Sequence, residues 1–338
     1  MKIFRPTYIG EFACDGKACN SRCCRDWRIA VDEEAREKFL RLPVSDRTEI
    51  FCHIDESTQV FEMKNSGACP FLNENFLCKL QIKHGEDFLP AICQSFPRVT
   101  YKLDEKIFLQ TMTLTCPVAA NLILLREEPI IFETVDELKT RQIFDFTERI
   151  SSAEKFLSRQ QAAVKILQRR DLSINQRLKN LCEFFGEKIS ANFDEIKHAT
   201  TLAEIFGEMY DATSTDVKKI QLVETYRAYR RNILSQLRGE FSIVMENYLV
   251  NEFVMRCYPY AFAGDEAFNC RVFVTVYRAV EFATVLATVA RSCLTVEKFL
   301  NLLCALNDKF DHSRGSMEAI KNFAAQNVAE KFSSLMIE

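Results

Sequence analysis

Four cysteines in one run, Cys14-x4-Cys19-x3-Cys23-Cys24, dominate the start of the chain, and nine of its fourteen cysteines fall within the first 116 residues. A second group follows at Cys69-Pro70-Phe71-Leu72, Cys78 and Cys93, and Cys116-Pro117 closes the region. Thiols at this density form either a disulfide framework or a metal site. Disulfide frameworks belong to small exported domains that cannot build a core. This chain has 338 residues and begins Met1-Lys2-Ile3-Phe4-Arg5-Pro6, without a basic-then-apolar leader. A Cys23–Cys24 bridge would also close a strained ring. The expectation is therefore metal or cluster binding in a reducing cytoplasm.

Composition narrows the partners. Hydrophobic residues make up 48% and charged residues 27%, the mix of a globular protein, and the net charge of −3 provides no basic field for nucleic acid. No stretch approaches the roughly 18 uninterrupted apolar residues of a membrane span. The nine glycines never fall as G-x-G, and no two stand five apart. That excludes both the G-x-G-x-x-G dinucleotide loop and the G-x-x-x-x-G-K phosphate loop, so a nucleoside cofactor has to be held another way.

The texture of the chain changes near residue 130. Seven of the eight prolines lie at or before Pro129. Residues 1–130 read as a cysteine-rich head of loops and short elements, with a helix over 32–41 and a strand near Val99–Leu109. From 134 onward the pattern reads as helix after helix, giving a mainly α protein with a helical bundle over 131–338 as the substrate-binding part. Leu178, Leu181, Cys182, Phe185 and Ile189 recur at three- and four-residue steps, as do Ile220, Val223 and Tyr226. Segments 240–262 and 266–292 are apolar almost all round and read as central helices, the second interrupted by Arg271, Arg278, Glu281 and Arg291. Thr295 reads as the N-cap of a helix over Val296–Lys309. Segments 126–142 and 208–216 read as linkers.

Zinc sites pair two C-x2–4-C knuckles, or one knuckle with two histidines. The spacings here are irregular, and His53, His84, His198 and His312 show no knuckle pattern. An iron–sulfur cube tolerates such spacing because its thiolates reach separate irons. Cys52, Cys182, Cys257, Cys270, Cys293 and Cys304 stand singly among apolar neighbours and read as core thiols.

The cysteine run, Cys69-Pro70-Phe71-Leu72, Cys78-Lys79-Leu80 and Cys93-x2-Phe96-Pro97-Arg98 resemble a broad bacterial family of zinc- or iron-chelating proteins with a CxxCxxCC signature. Within it, Arg5-Pro6-Thr7-Tyr8, Cys24-Arg25-Asp26-Trp27, Thr113-Leu114-Thr115-Cys116-Pro117 and the helical second half resemble the flagellin lysine-N-methylases. The resemblance implies S-adenosylmethionine as methyl donor, a [4Fe–4S] cluster and flagellin as protein substrate. It makes Cys14, Cys19, Cys23, Cys24, Cys69, Cys78, Cys93 and Cys116 the candidate metal ligands. An iron without a cysteine ligand can chelate the amine and carboxylate of S-adenosylmethionine, replacing the missing glycine loop. The run departs from the C-x3-C-x2-C pattern of radical enzymes, which leaves polar methyl transfer open. A polar route needs only a deprotonated lysine aligned with the sulfonium methyl, and Asp26 and Tyr101 are the candidate bases. Trp27 and Arg98 are the candidate cofactor contacts. Trp27 reads equally as packing on the cysteine loop, and Arg98 as a clamp on nearby carbonyls. The alternative to an enzyme is a non-enzymatic zinc- or iron-chelating scaffold whose helical half binds a partner.

Overall fold

The computed structural model describes residues 1–25, 27–138, 140–187, 199–200, 202–204, 216–312 and 314–325. Its strands are β1 (Lys2–Pro6), β2 (Ile54–Asp55), β3 (Val60–Phe61), β4 (Arg98–Lys102), β5 (Ile107–Met112), β6 (Phe132–Val135) and β7 (Phe144–Asp145). The chain is mainly helical and separates into two units, Met1–Ala119 with Phe132–Phe146, and Ala120–Ile131 with Thr147–Glu338.

The first unit is built on a five-stranded sheet ordered β6-β1-β5-β4-β7. Strand β1 runs parallel to β5 and antiparallel to β6, while β4 is antiparallel to β5 and parallel to β7. The single strand expected near Val99–Leu109 is in fact a hairpin. Asp104 breaks it, because its carboxylate accepts from the N–H groups of Lys106 and Ile107 at 2.6 and 2.7 Å and turns the chain back. The expected linker over 126–142 is also corrected: it contains β6, whose Val135 pairs with Ile3 and whose Phe132 stacks on Phe4 at 5.2 Å. A separate apolar core lies under the cysteine loops, centred on Ile29, Phe39, Phe61, Phe71 and Leu80. The helix expected over 32–41 runs Glu33–Leu40, and Asp32 caps it by accepting from the Ala35 N–H at 3.1 Å.

Side-chain caps also begin the helices of the second unit. Ser152 accepts from Lys155 N–H at 3.2 Å to start Ala153–Leu167, and Ser173 and Gln176 form a capping box at the head of Ile174–Phe184. Asp265 accepts from Phe268 N–H at 2.7 Å, and Thr295 from Lys298 N–H at 3.3 Å, starting Glu266–Arg291 and Val296–His312. Helices Asp216–Arg238 and Ser242–Met255 precede them and Arg314–Ala325 follows. The linker expected over 208–216 lies almost wholly outside the described residues, as does Ile189.

Glu266–Arg291 is long and apolar enough to cross a membrane by length and composition, yet 78% of its most apolar window is buried within the protein. Helices Asp216–Arg238, Ile174–Phe184, Val296–His312 and Arg314–Ala325 pack against it. Of the charges that interrupt its apolar pattern, Arg271, Arg278 and Glu281 are paired with other side chains and Arg291 is exposed. Glu281 accepts from Arg278, from Arg238 at 3.3 Å and from the Tyr277 hydroxyl at 2.9 Å, and Arg278 also donates to Asn175 at 2.8 Å. A second buried carboxylate, Glu246, binds Arg170 at 2.9 Å and Arg177 at 2.8 Å. Pairing of this kind is the condition for placing such groups in a core.

Candidate metal centre

The run of four cysteines follows the short helix Tyr8–Glu11 as a chain of tight turns. Asp15 accepts from the N–H groups of Lys17 and Ala18, both at 3.1 Å, and the Gly16 carbonyl accepts from Ser21 N–H at 2.8 Å. Asn20 and Ser21 take left-handed backbone, with φ of 51° and 48°, which delivers Cys23 and Cys24 into a 3-10 turn over Arg22–Cys24. A side chain then fixes the loop from outside, since Trp27 Nε1 donates to the Cys23 carbonyl and the indole sits 5.7 Å from the Phe96 ring.

The other cysteines reach the same place from four directions. Cys69 N–H donates to the Cys24 carbonyl at 2.8 Å, beside a bridge between Arg25 and Ala68. Leu72 bridges to Cys78, and Lys79 N–H donates to Phe71 at 2.8 Å, which folds Cys78 back over the Cys69 turn at the start of helix Lys79–His84. Cys93 sits in helix Ala91–Ser95, whose Ala91 N–H is tied to Asp32 at 2.6 Å. Cys116 directly precedes helix Pro117–Leu124.

These elements enclose a cavity of about 640 Å³, and all eight candidate ligands line it. The size lies within the roughly 300–1,000 Å³ of ordinary cofactor sites. Among the described residues, no histidine is on its wall and the carboxylates there are those of Asp15 and Glu86. None of the fourteen cysteines, all of them among the described residues, is in a disulfide.

Burial governs the state of these thiols. It pushes Cys69 up to about 11, Cys116 up to about 12, and Cys93 well above the ordinary thiol value. Cys23 is lowered, chiefly because the Cys24 thiol donates to it, and Cys24 is raised in turn. Backbone N–H groups oppose burial at four sulfurs: its own N–H at Cys23, Phe71 at Cys69, Leu80 and Gln81 at Cys78, and Val118 and Ala119 at Cys116. Such N–H groups stabilise thiolates, which a cation in the cavity would bind. The all-sulfur donor set suits zinc, copper(I) or iron–sulfur chemistry. A single tetrahedral zinc needs four sulfurs about 3.8 Å from one another, given Zn–S near 2.3 Å. Among the described residues no three or more His, Cys, Asp or Glu side chains are gathered to hold one ion.

The remaining candidates are dispersed. Trp27 and Arg98 line the cavity. Arg98 donates to the Phe12 carbonyl at 3.4 Å, lies 5.0 Å over the Phe12 ring, and is lowered by burial. Tyr101 is not on the cavity wall. It lies an odd number of residues beyond Arg98 in β4, so it points to the opposite face of the sheet, and its ring packs on Phe144 and Phe146 at 6.0 and 5.7 Å. Asp26 lies outside the described residues. Sequence reading did not single out Phe12, Phe76 or Glu86, which also line the cavity and carry no motif. Of the cysteines read as core thiols, Cys182, Cys257, Cys270 and Cys304 are buried. Cys52 and Cys293 are exposed, because a turn after Phe51 and a helix end at Ser292 carry them to the surface.

Residues 131–337 match the FliB lysine N-methylase C-terminal domain. The chain is 27% identical over 171 residues to the lysine-N-methylases of Salmonella typhimurium and Salmonella choleraesuis, a match covering 47% of this chain and 41% of each relative. It is 30% identical over 137 residues to the flagellar biosynthetic protein FliU of Salmonella muenchen, covering 37% of this chain and 78% of that protein. The chain thus spans less than half the length of the lysine-N-methylases it matches. No solved structure matches it. With the family match covering more than half of its residues, the chain belongs to the FliB lysine N-methylase family.

Proposed function

We propose that the protein is an S-adenosylmethionine-dependent lysine N-methyltransferase acting on flagellin in the cytoplasm, with a [4Fe–4S] group held by the cysteine-lined cavity. The observation that carries the reading is the convergence of eight thiols on one cavity in a lysine N-methylase family member. The group, when bound, would supply a Lewis-acidic iron able to bind the amine and carboxylate of the methyl donor.

The protein's own residues have separate tasks. Trp27 holds the Cys23 turn in place. Arg98, whose charge is half-buried beside the cavity, orients a carboxylate of the donor. Methyl transfer needs an uncharged lysine amine, so a base has to take its proton before the amine meets the sulfonium carbon. Asp15 is committed to the N–H groups of Lys17 and Ala18. Glu86, the other carboxylate on the wall among the described residues, is a base in place for that proton.

Calorimetric titration of S-adenosylmethionine into iron-loaded and metal-free protein tests this reading. Metal-free protein should bind the donor at least about tenfold more weakly, a loss of about 1.4 kcal/mol. Equal affinity would make the cysteine centre purely structural and favour the chelating scaffold.

A further inference from the structure

Eight thiols are twice the number one iron–sulfur cube takes, and they are not equivalent in their surroundings. Cys69 belongs to the apolar core beneath the loops, and Cys24, Cys78 and Cys93 pack directly against that core. Cys14, Cys19, Cys23 and Cys116 do not belong to it. The backbone draws the same division. The Cys69 N–H is bonded to the Cys24 carbonyl, Leu72 in the turn after Cys69 is bridged to Cys78, and Asp32, which caps the helix of Phe39 in this core, also holds the Ala91 N–H of the Cys93 helix. Cys14, Cys19 and Cys23 hang instead on the Gly16–Ser21 turn, where the Cys19 thiol lies 3.8 Å from the Gly16 carbonyl.

The division separates the adjacent Cys23 and Cys24, and in ferredoxins with two clusters neighbouring cysteines of one run likewise serve different clusters.

We propose that the cavity carries two separate ligand sets, Cys24, Cys69, Cys78 and Cys93 on the apolar core and Cys14, Cys19, Cys23 and Cys116 beside it, each binding its own iron–sulfur cluster. The inference rests on the iron–sulfur reading above and adds a second centre to it. The core set is the more shielded. In the other set the solvent-exposed Cys14 is the thiol that the amine and carboxylate of the methyl donor would displace, since four thiolates otherwise leave no iron of that cube open.

The test is iron and acid-labile sulfide analysis of the full-length protein, reconstituted anaerobically with iron and sulfide. About eight irons and eight sulfides per chain are expected for two cubes. About four of each would overturn the two-set proposal while leaving the iron–sulfur reading intact. Protein that takes zinc and no iron would overturn both. Paired variants give an independent check: Cys69→Ser with Cys93→Ser, and Cys14→Ser with Cys116→Ser, should each lower iron about twofold. Mössbauer spectra should show the remaining half as an intact cube. Cys182→Ser, far from the cavity in sequence, is the control and keeps all the iron. Complete loss of iron from both folded paired variants, or no loss from either, would contradict two independent sets. The wild-type count decides the question even where a variant fails to fold.

Discussion

The backbone N–H of Cys69 donates to the carbonyl of Cys24 at 2.8 Å, tying the second cysteine group to the end of the first run by a bond that involves neither sulfur. The approach of these residues is held by backbone pairing over the apolar core. Hydrogen exchange on metal-free protein should find the Cys69 amide protected, as strongly as the amides of β4 and β5. Exchange at the rate of an open loop would show that metal assembles the site.

Trp27 secures the cysteine run through one hydrogen bond and one ring contact, and the two are separable. Trp27→Phe keeps the ring against Phe96 and removes the indole N–H. The Cys23 carbonyl then loses a donor, at a cost of about 1 kcal/mol. A chelator should strip metal from Trp27→Phe faster than from the wild type, with little change in overall helicity by circular dichroism. Unchanged stripping rates would mean that the run is held by its own turns alone.

In the helical unit, stability depends on Glu281. Burial pushes its carboxyl up, but Arg278 and Arg238 outweigh burial and hold it below the ordinary carboxylate value. Its folded-state value is lower than its unfolded one, so the stabilisation is present above about pH 4.5 and is lost as pH falls through the folded value. Glu281→Gln leaves two arginines facing a neutral group inside the core, and should cost about 3–5 kcal/mol in urea unfolding at neutral pH. The deficit should shrink in acid. A loss below about 1 kcal/mol at neutral pH would place the network at an exposed-pair level.

Features encoded locally were legible in the sequence. Asp32 and Thr295 cap the helices expected after them, and the eight head cysteines meet at one cavity as their density implies. Features that depend on partners distant in the chain were not. Phe132–Val135 follows a helical stretch and precedes polar residues, and it becomes a strand only because β1 is there to pair with it. Tyr101 and Arg98 stand close in sequence, yet strand alternation sends them to opposite faces. The cavity positions of Phe12 and Glu86 follow from loop packing, which no spacing rule records.

The most direct test of the account is methyl transfer itself. Full-length protein, loaded anaerobically with iron and sulfide, is incubated with flagellin and S-adenosylmethionine carrying an isotopically labelled methyl group, and flagellin peptides are read by mass spectrometry. The account predicts labelled methyl groups on lysine ε-amines of flagellin, and their absence when Cys23→Ser and Cys24→Ser protein replaces the wild type. Unmodified flagellin with fully loaded wild-type protein, or undiminished labelling by the cysteine variants, would contradict it.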